Sequence, residues 1–591
     1  MPPFFLALVV GLIAGVNPHI LLAVTKQSKR YFTGWARRSA IITLVFWPIF
    51  YFGMPAFVGP LGGWSWIIMV PLAINLLISV PIRGERTDVG KFSLTVGIVM
   101  AVLLLFFAIG SMGITRWESQ KAMIGEVTVR EDIEEHWKPV ELDHMIQVQH
   151  EQARFRVDQA FGSAGEAIGS KFHVGELHIQ KVGGELVWVG ALEYNGFFRW
   201  LDDELIPGYV MISAEDRNKD PKLVLEVDGK ALGLRYSPSA FFGDELNRYL
   251  YFKKGYQDVQ LVDYTLEIDE GGHPFYVITM VKPTKFWTCT DVVGLLIVDP
   301  QTGEVTEFSK ENFGEVPAWV DRIMPEDLTA QYINWWGEYV DGWLNSWTSQ
   351  QGVVQCTSWN NDYLKVVWGS DGQAYWFTGI TSSSSKDGAL VGYMLVNTRT
   401  GEAFRYKAQG HNEAKVISVI NGSVGYRNWH ATRPILYNLH GRLAWVAPVV
   451  DVNHAYKGMA IVDTSDTQVA FGEDKLHAVR AFDNQVFASN GNSLNLSEDS
   501  SFKKIQARVK RAQVWNDSGE STLRFTIEAE EYAGMVFSAG LSAGNGVPLV
   551  RDGDSVNIQF RDVQEGTVPV TRLSFVENPI IVAPLKPEED R

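Results

Sequence analysis

Two cysteines, Cys289 and Cys356, are all that 591 residues contain, so the count excludes the disulfide framework that holds many small secreted domains. The local signatures of two large enzyme classes are also missing: no GxxxxGK[ST] phosphate loop and no HExxH occurs. The 12 histidines are scattered. The nearest pairs, His144 with His150 and His173 with His178, lack the i, i+4 spacing that puts two ligands on one helix face, and the odd separation of His173 and His178 sends them to opposite faces of a strand. No metal, no cofactor and no catalytic residue is expected. Positive charge is scarce as well. The 52 Lys and Arg face 68 Asp and Glu, a net charge of −16, and such a surface repels phosphate backbones. Nucleic acid is not an expected partner.

Charge of either sign is absent from four apolar runs, 3–24, 39–58, 64–82 and 92–113. Each is long enough for an α-helix to cross a hydrocarbon core of roughly 30 Å. The pattern predicts an N-terminal four-helix transmembrane region over 1–114. Lys26, Lys29, Arg30, Arg37 and Arg38 in one loop, with Arg83, Arg86 and Lys91 in another, place both loops in the cytoplasm. The expected location is then the cell membrane, multi-pass, with a large extracytoplasmic C-terminal region. Asn17, His19 and Asn75 form a candidate intramembrane polar site, for which a kinked packing site is the plainer reading than an ion path.

Beyond residue 114 the chain repeats itself. "VGLLIVDPQTGEVTEF" at 293–308 returns as "VGYMLVNTRTGEAFRY" at 391–406, a strand, a Gly turn and a returning strand. Each copy follows a Gly-led aromatic strand, "GGHPFYVITM" at 271–280 and "DGQAYWFTGI" at 371–380. Related phrases stand at 183–192, "GGELVWVGAL", and at 440–449, "HGRLAWVAPV". Helix candidates precede all four: 151–162, 239–252, 325–347 and 412–424. The reading is four α+β modules, each a helix followed by a small antiparallel sheet, over 115–216, 217–325, 326–409 and 410–502, stacked as an elongated array.

This unit, closed by "VDPQTGEV", resembles the PepSY modules of bacterial envelope proteins. Asp299, Gly303 and Glu304 match the Asp-x-x-x-Gly-Glu pattern, and Asn397, Gly401 and Glu402 match it with Asn for Asp. The first and fourth modules depart further. The resemblance covers roughly 115–500 through the repeated strands. It implies binding rather than catalysis: interaction with proteins at the cell envelope, or restraint of a peptidase.

Short alternating segments at 504–515, 521–529, 534–540, 554–560 and 568–576 predict a C-terminal β-barrel of OB or SH3 type over 503–591. Its basic spot, Lys503, Lys504, Arg508, Lys510 and Arg511, reads as the solvated side of a strand whose Ile505, Ala507 and Val509 point inward. Asp216, Asn218 and Asp220 alternate as in a calcium loop but lack its Gly and Glu, and read as a polar turn. Asp299 and Glu304 flank a hairpin, where turn chemistry outweighs acid–base chemistry. In "YINWWGEYVDGWLNSW", Ile333, Trp336, Tyr339, Val340, Trp343, Leu344 and Trp347 fall at helical spacing and predict a buried stripe. Trp335 and Trp319 lie off it and are the candidate partner-contact residues.

The expectation is a non-enzymatic, membrane-anchored envelope protein whose PepSY-like repeats bind or organise an extracytoplasmic protein partner. Its rival is a membrane transport or sensing component whose ectodomain gates the four-helix bundle. A hydrolase would require Asp or Glu residues from two modules to meet in one pocket.

Overall fold

The computed structural model describes residues 3–15, 29–58, 98–99, 101–102, 105–106, 109–110, 112–131, 137, 144–163, 169–202, 205–285, 289–358, 363–383, 389–439, 442–489, 502–517, 520–540, 543, 547–561 and 567–576. Two compact units result: Met1–Val469 with Glu473–Lys475, and Ala470–Gly472 with Leu476–Arg591.

Among the described residues no helix is long and apolar enough to cross a membrane, and the chain is mostly β-sheet with scattered helices. This corrects the expected four-helix transmembrane region and the multi-pass membrane placement. In the first run the described helix is Pro3–Gly15, 13 residues, or roughly 20 Å against the ~30 Å required, and 16–24 lie outside the described residues. The helix over the second run, Lys29–Gly53, has 25 residues but includes Lys29, Arg30, Arg37 and Arg38, with Pro48 inside it. Its charge-free part, 39–53, spans roughly 22 Å. The third run and most of the fourth fall outside the described residues. Without the spans, the loop-charge argument for an extracytoplasmic region loses its premise. The two helices instead pack on each other through Leu6, Ala7, Val10, Phe46 and Phe50.

Four larger antiparallel sheets follow among the described residues. The first holds Phe172–Val174, His178–Val182, Glu185–Tyr194, Tyr209–Ser213 and Lys222–Val224. The second is a meander of Gln260–Ile268, Pro274–Lys285, Cys289–Val298 and Val305–Ser309. The third contains Val354–Cys356, Lys365–Trp368, Ala374–Ser382, Gly392–Asn397 and Ala403–Tyr406. Trp429–Ala431, Ile435–Leu439, Arg442–Asp451 and Tyr456–Asp463 build the fourth. The repeated aromatic phrase is the long inner strand of each sheet. In Glu185–Tyr194, Ala374–Ser382 and Arg442–Asp451 buried residues run consecutively instead of alternating, because both faces of the strand are covered.

The repeated hairpin owes its sequence to its turn. Gly303 and Gly401 take φ of 73° and 78°, where any other L-residue is strained. Asp299 accepts from the Gln301 amide (2.8 Å) and the Thr302 hydroxyl (2.7 Å). In the other copy Asn397 Oδ1 accepts from the Arg399 and Thr400 amides, each at 2.9 Å. Asp and Asn interchange here because only an acceptor oxygen is needed.

The helices of the first and fourth modules, His150–Ser163 and Glu413–Val424, fall where expected, whereas the other two depart from their predicted lengths. In the second module, 239–252 breaks into the short pieces Phe242–Asp244, Leu246–Tyr249 and Leu250–Lys254. In the third, Glu326–Glu338 stops, Gly342 takes φ of 87°, and Trp343–Trp347 starts afresh. The new axis turns the end of the expected stripe outward. Ile333 and Tyr339 are buried, whereas Leu344 is 61% and Trp347 74% exposed.

The modules do not line up as an elongated array; within the first unit their contacts return to the start. One hydrophobic core joins the first and second sheets, with Val187, Val189 and Tyr209 packed among Leu266, Tyr276 and Leu296. The other face of the second sheet packs on Val316, Val320 and Ile323 of the segment leading to the third. Trp445 of the fourth sheet lies 5.9 Å from Phe377 and 6.1 Å from Tyr393 of the third. The fourth then meets the first: the Arg217 guanidinium stands 4.4 Å over the Tyr456 ring, and His454 lies 3.6 Å from Glu151. Residues 144–149 strap this seam. Ile146 donates its amide to the Tyr437 hydroxyl (3.1 Å), and the Val148 amide reaches Ala214 O (3.0 Å).

One edge of the third sheet carries an added strand. Val127–Arg130 pairs in parallel with Ala403–Tyr406, Val127 opposite Ala403 and Val129 opposite Arg405. Just before it, the helix Gly113–Lys121 lies beside Glu326–Glu338, where Lys121 Nζ donates to Val340 O (2.7 Å).

In the second unit, Phe502–Asp517, Glu520–Ile527, Val536–Gly540, Thr567–Phe575 and Ser555–Arg561 close a five-stranded barrel. Val509, Phe525, Phe537, Val556 and Phe560 fill it. Lys504, Arg508, Lys510 and Arg511 are exposed while Ala507 and Val509 are buried, so the basic spot is the outer side of one strand. Cys289 and Cys356 are both buried, and no disulfide joins them.

Candidate functional site

A buried polar network forms where the first three sheets converge on residues 316–324. Gln180, 1% exposed, points from the first sheet to the end strand of the second. Its Nε2 donates to Ile268 O (2.8 Å) and Trp319 O (3.0 Å), and its Oε1 accepts from the Ile268 amide (2.9 Å). One residue on, the Lys181 amide donates to Asp321 Oδ2 (2.7 Å). The Asp321 amide donates to Glu267 Oε2 (3.1 Å), and the Thr265 hydroxyl to Glu267 Oε1 (3.3 Å). From the third module, Thr398 Oγ1 donates to Asp321 O (2.6 Å). Arg399 donates to Pro317 O (2.9 Å), Val320 O (2.5 Å) and Val316 O (2.7 Å).

Burial sets the protonation of this network. It raises Glu267 to about 8, with the Asp321 charge adding to the rise and Arg322 opposing it. Asp321 is raised to about 6 by burial, against the Lys181 amide and the Arg322 and Arg399 charges. His178 is pushed down to about 3, first by burial and then by Arg322. Asp263, at a bulge in the second sheet with φ of 55°, is also raised by burial. At neutral pH Glu267 is therefore a carboxylic acid. Arg322 brings the compensating charge; its Nε and Nη2 are buried without a hydrogen-bond partner among the described residues, and its guanidinium lies 6.0 Å from the Trp376 ring.

The two candidate partner-contact residues lie apart. Trp319 belongs to this junction: its ring stacks on Phe275 at 5.4 Å, half-buried. Trp335 sits on Glu326–Glu338, half-buried and stacked on Tyr332 at 6.2 Å. Asn17, His19 and Asn75 lie outside the described residues. The Asp216–Asp220 stretch forms a turn in which Asp216 Oδ1 accepts from the Asn218 amide (2.8 Å). Among the described residues no group of three His, Cys, Asp or Glu could hold a metal.

Sequence reasoning missed Gln180, Glu267, Asp321, Arg322 and Arg399. Gln180 follows Ile179, and Glu267 stands between Leu266 and Ile268, all buried. A strand covered on both faces has no polar side to betray an inward polar residue. The junction serves as a lock between modules rather than a reactive centre, because a carboxyl 1% exposed, as Glu267 is, has no path to a substrate. Replacing Gln180 with Ala strands the Ile268 amide and carbonyl without partners, at a cost of about 3 kcal/mol. Urea unfolding should show that loss, with faster amide exchange at Ile268.

No known family profile and no curated protein sequence matches the chain. Among solved structures it is similar to the Bacillus megaterium YpeB C-terminal domain, with 14% identity, 45% of this chain and 99% of that one covered, and a TM-score of 0.11. A thermostable family-43 glycoside hydrolase shows 9% identity over 70% and 97% of the two chains, with a TM-score of 0.17. Trypanosoma rangeli sialidase shows 10% identity over 67% and 53%, with a TM-score of 0.15. Scores this low establish neither a shared fold nor a shared activity.

Proposed function

We propose that this is a non-enzymatic protein whose PepSY-like repeats bind and organise other proteins, a peptidase being the partner class that the resemblance implies. The observation that carries the reading is the Val127–Arg130 strand laid along Ala403–Tyr406. A module of this type takes up an extended segment by main-chain pairing, the physical basis of peptide recognition by strand addition. Half-buried aromatic surfaces at Trp319 and Trp335 add contact area of the kind enriched in protein interfaces. The Glu267 carboxyl beside Asp321 is closed to solvent, which supports a structural reading of that junction over a hydrolytic one. The transport or sensing alternative rested on a four-helix bundle and is not retained.

The test is cross-linking of the full-length chain in the cells that produce it, followed by identification of the joined peptides. A small, reproducible set of protein adducts mapping to strand edges of the four sheets is expected. Recovery of no protein adduct would overturn the reading.

A further inference from the structure

The second and third modules share their closing hairpin, yet only one has its outer edge paired. On the third sheet Ala403–Tyr406 carries the parallel strand Val127–Arg130. The equivalent strand of the second sheet, Val305–Ser309, ends that sheet, and no strand among the described residues pairs with its outer side. The Asp299 amide donates to Glu304 O across the turn (3.0 Å). Alternation along an antiparallel ladder then directs the Val305, Glu307 and Ser309 main-chain groups outward. These are the groups that an added strand engages.

We propose that the outer edge of Val305–Ser309 is a docking site for an extended segment of a partner protein, added in parallel as Val127–Arg130 is added to the third sheet. This inference rests on the protein-binding reading above and names where and what it binds. Superposing the two hairpins puts the Val127 position opposite Val305, Val129 opposite Glu307, and residue 131 opposite Ser309. Where the third sheet has Arg405, the second has the exposed carboxylate Glu307, held by the Tyr256 hydroxyl at 2.9 Å. A basic side chain is therefore matched to the middle position, whereas the chain's own strand has Val129 there.

The Ser309 end opens onto a cavity of about 350 Å³ lined by Lys254, Tyr256, Lys282, Glu307 and Ser309 among others. Lys282 is shared with Asp258 at 2.9 Å, and Lys254 adds a second ammonium. An acidic side chain is matched to the last position. The partner segment thus has a β-branched apolar residue, then a basic and then an acidic residue at alternate positions, all on the face that carries Glu307.

The probe is a synthetic hexapeptide copying residues 126–131 with V129K, titrated against the full-length chain. Hydrogen exchange in the presence of peptide should show new protection at the Glu307 amide and at one or both of its outward neighbours, Val305 and Ser309. The unmodified hexapeptide should bind more weakly, and one with V129E at least about tenfold more weakly, a factor of ten being ~1.4 kcal/mol. In the protein, Glu307→Gln should weaken the V129K peptide several-fold. Glu307→Pro, which removes an outward N–H and leaves the inner ladder intact, should abolish binding. Binding unaffected by Glu307→Pro, protection elsewhere, or no binding would overturn the edge proposal. So would dimerisation of the chain through this edge, since the occupant would then be a second copy. None of these results touches the broader binding reading, which falls only if cross-linking recovers no protein partner.

Discussion

Between pH 6.5 and 8 the first unit should lose about 2 kcal/mol of stability, and Glu267→Gln should remove that loss. Glu267 is raised to about 8 by burial, whereas a glutamate in the unfolded chain titrates near ~4.3. Over the interval between these values the folded protein holds a proton that the unfolded chain has released, so unfolding becomes easier as pH rises. The stabilisation is complete below the unfolded value and gone once pH passes the folded one. Asp321, raised to about 6, behaves alike over a lower range. His178, pushed down to about 3, acts in the opposite sense but only below its unfolded value of ~6.5. The window above pH 6.5 therefore isolates Glu267 within the junction, at up to ~1.4 kcal/mol per pH unit. Glutamine keeps an oxygen for the Asp321 amide and cannot ionise. Urea midpoints measured at several pH values for both proteins would check this; parallel slopes for wild type and variant would contradict it.

A second large effect is expected at Trp445. This side chain is 0% exposed, sits against Phe377 and Tyr393, and donates its indole N–H to His411 O at 3.0 Å. Trp445→Ala empties the seam between the third and fourth sheets and leaves a carbonyl without its donor. Truncations of this size cost about 3–5 kcal/mol. Because the fourth sheet also meets the first, the damage should reach beyond the cavity: the Ile146 amide, held by the Tyr437 hydroxyl, should exchange faster in the variant. Trp445→Phe, which retains most of the ring volume, should cost about half as much or less. A drop under about 1 kcal/mol for the alanine variant, measured by urea unfolding, would show that the seam does not join the two sheets energetically.

What the sequence made legible was local. Gly-led aromatic phrases such as "DGQAYWFTGI" marked the inner strands because β-branched and aromatic residues in unbroken runs suit a strand covered on both faces. The Asp299 and Gly303 pattern marked a turn because few residues satisfy its geometry. Helical periodicity carried the third module's helix too far. Spacing counts residues and is blind to Gly342, whose positive φ restarts the axis and leaves Trp347 in solvent. Hydropathy likewise measured the apolar runs but not the bounds of helices, so Lys29–Gly53 takes in Lys29, Arg30, Arg37 and Arg38 and stops short of residue 58. The junction at Glu267 and Asp321 was invisible for a different reason. Its members come from three modules, and no single segment shows that Gln180, Ile268 and Trp319 meet.

The return of the fourth sheet to the first has a consequence for how such a molecule can change over generations. An open stack can gain or shed a unit at either tip, because the exposed terminal face only has to be made polar. Here Arg217 with Tyr456, and the strap at 144–149, join the fourth sheet back to the first, so neither is an open tip. Copy number is thereby fixed by geometry, and divergence is confined to exchanging what each module presents at its rim.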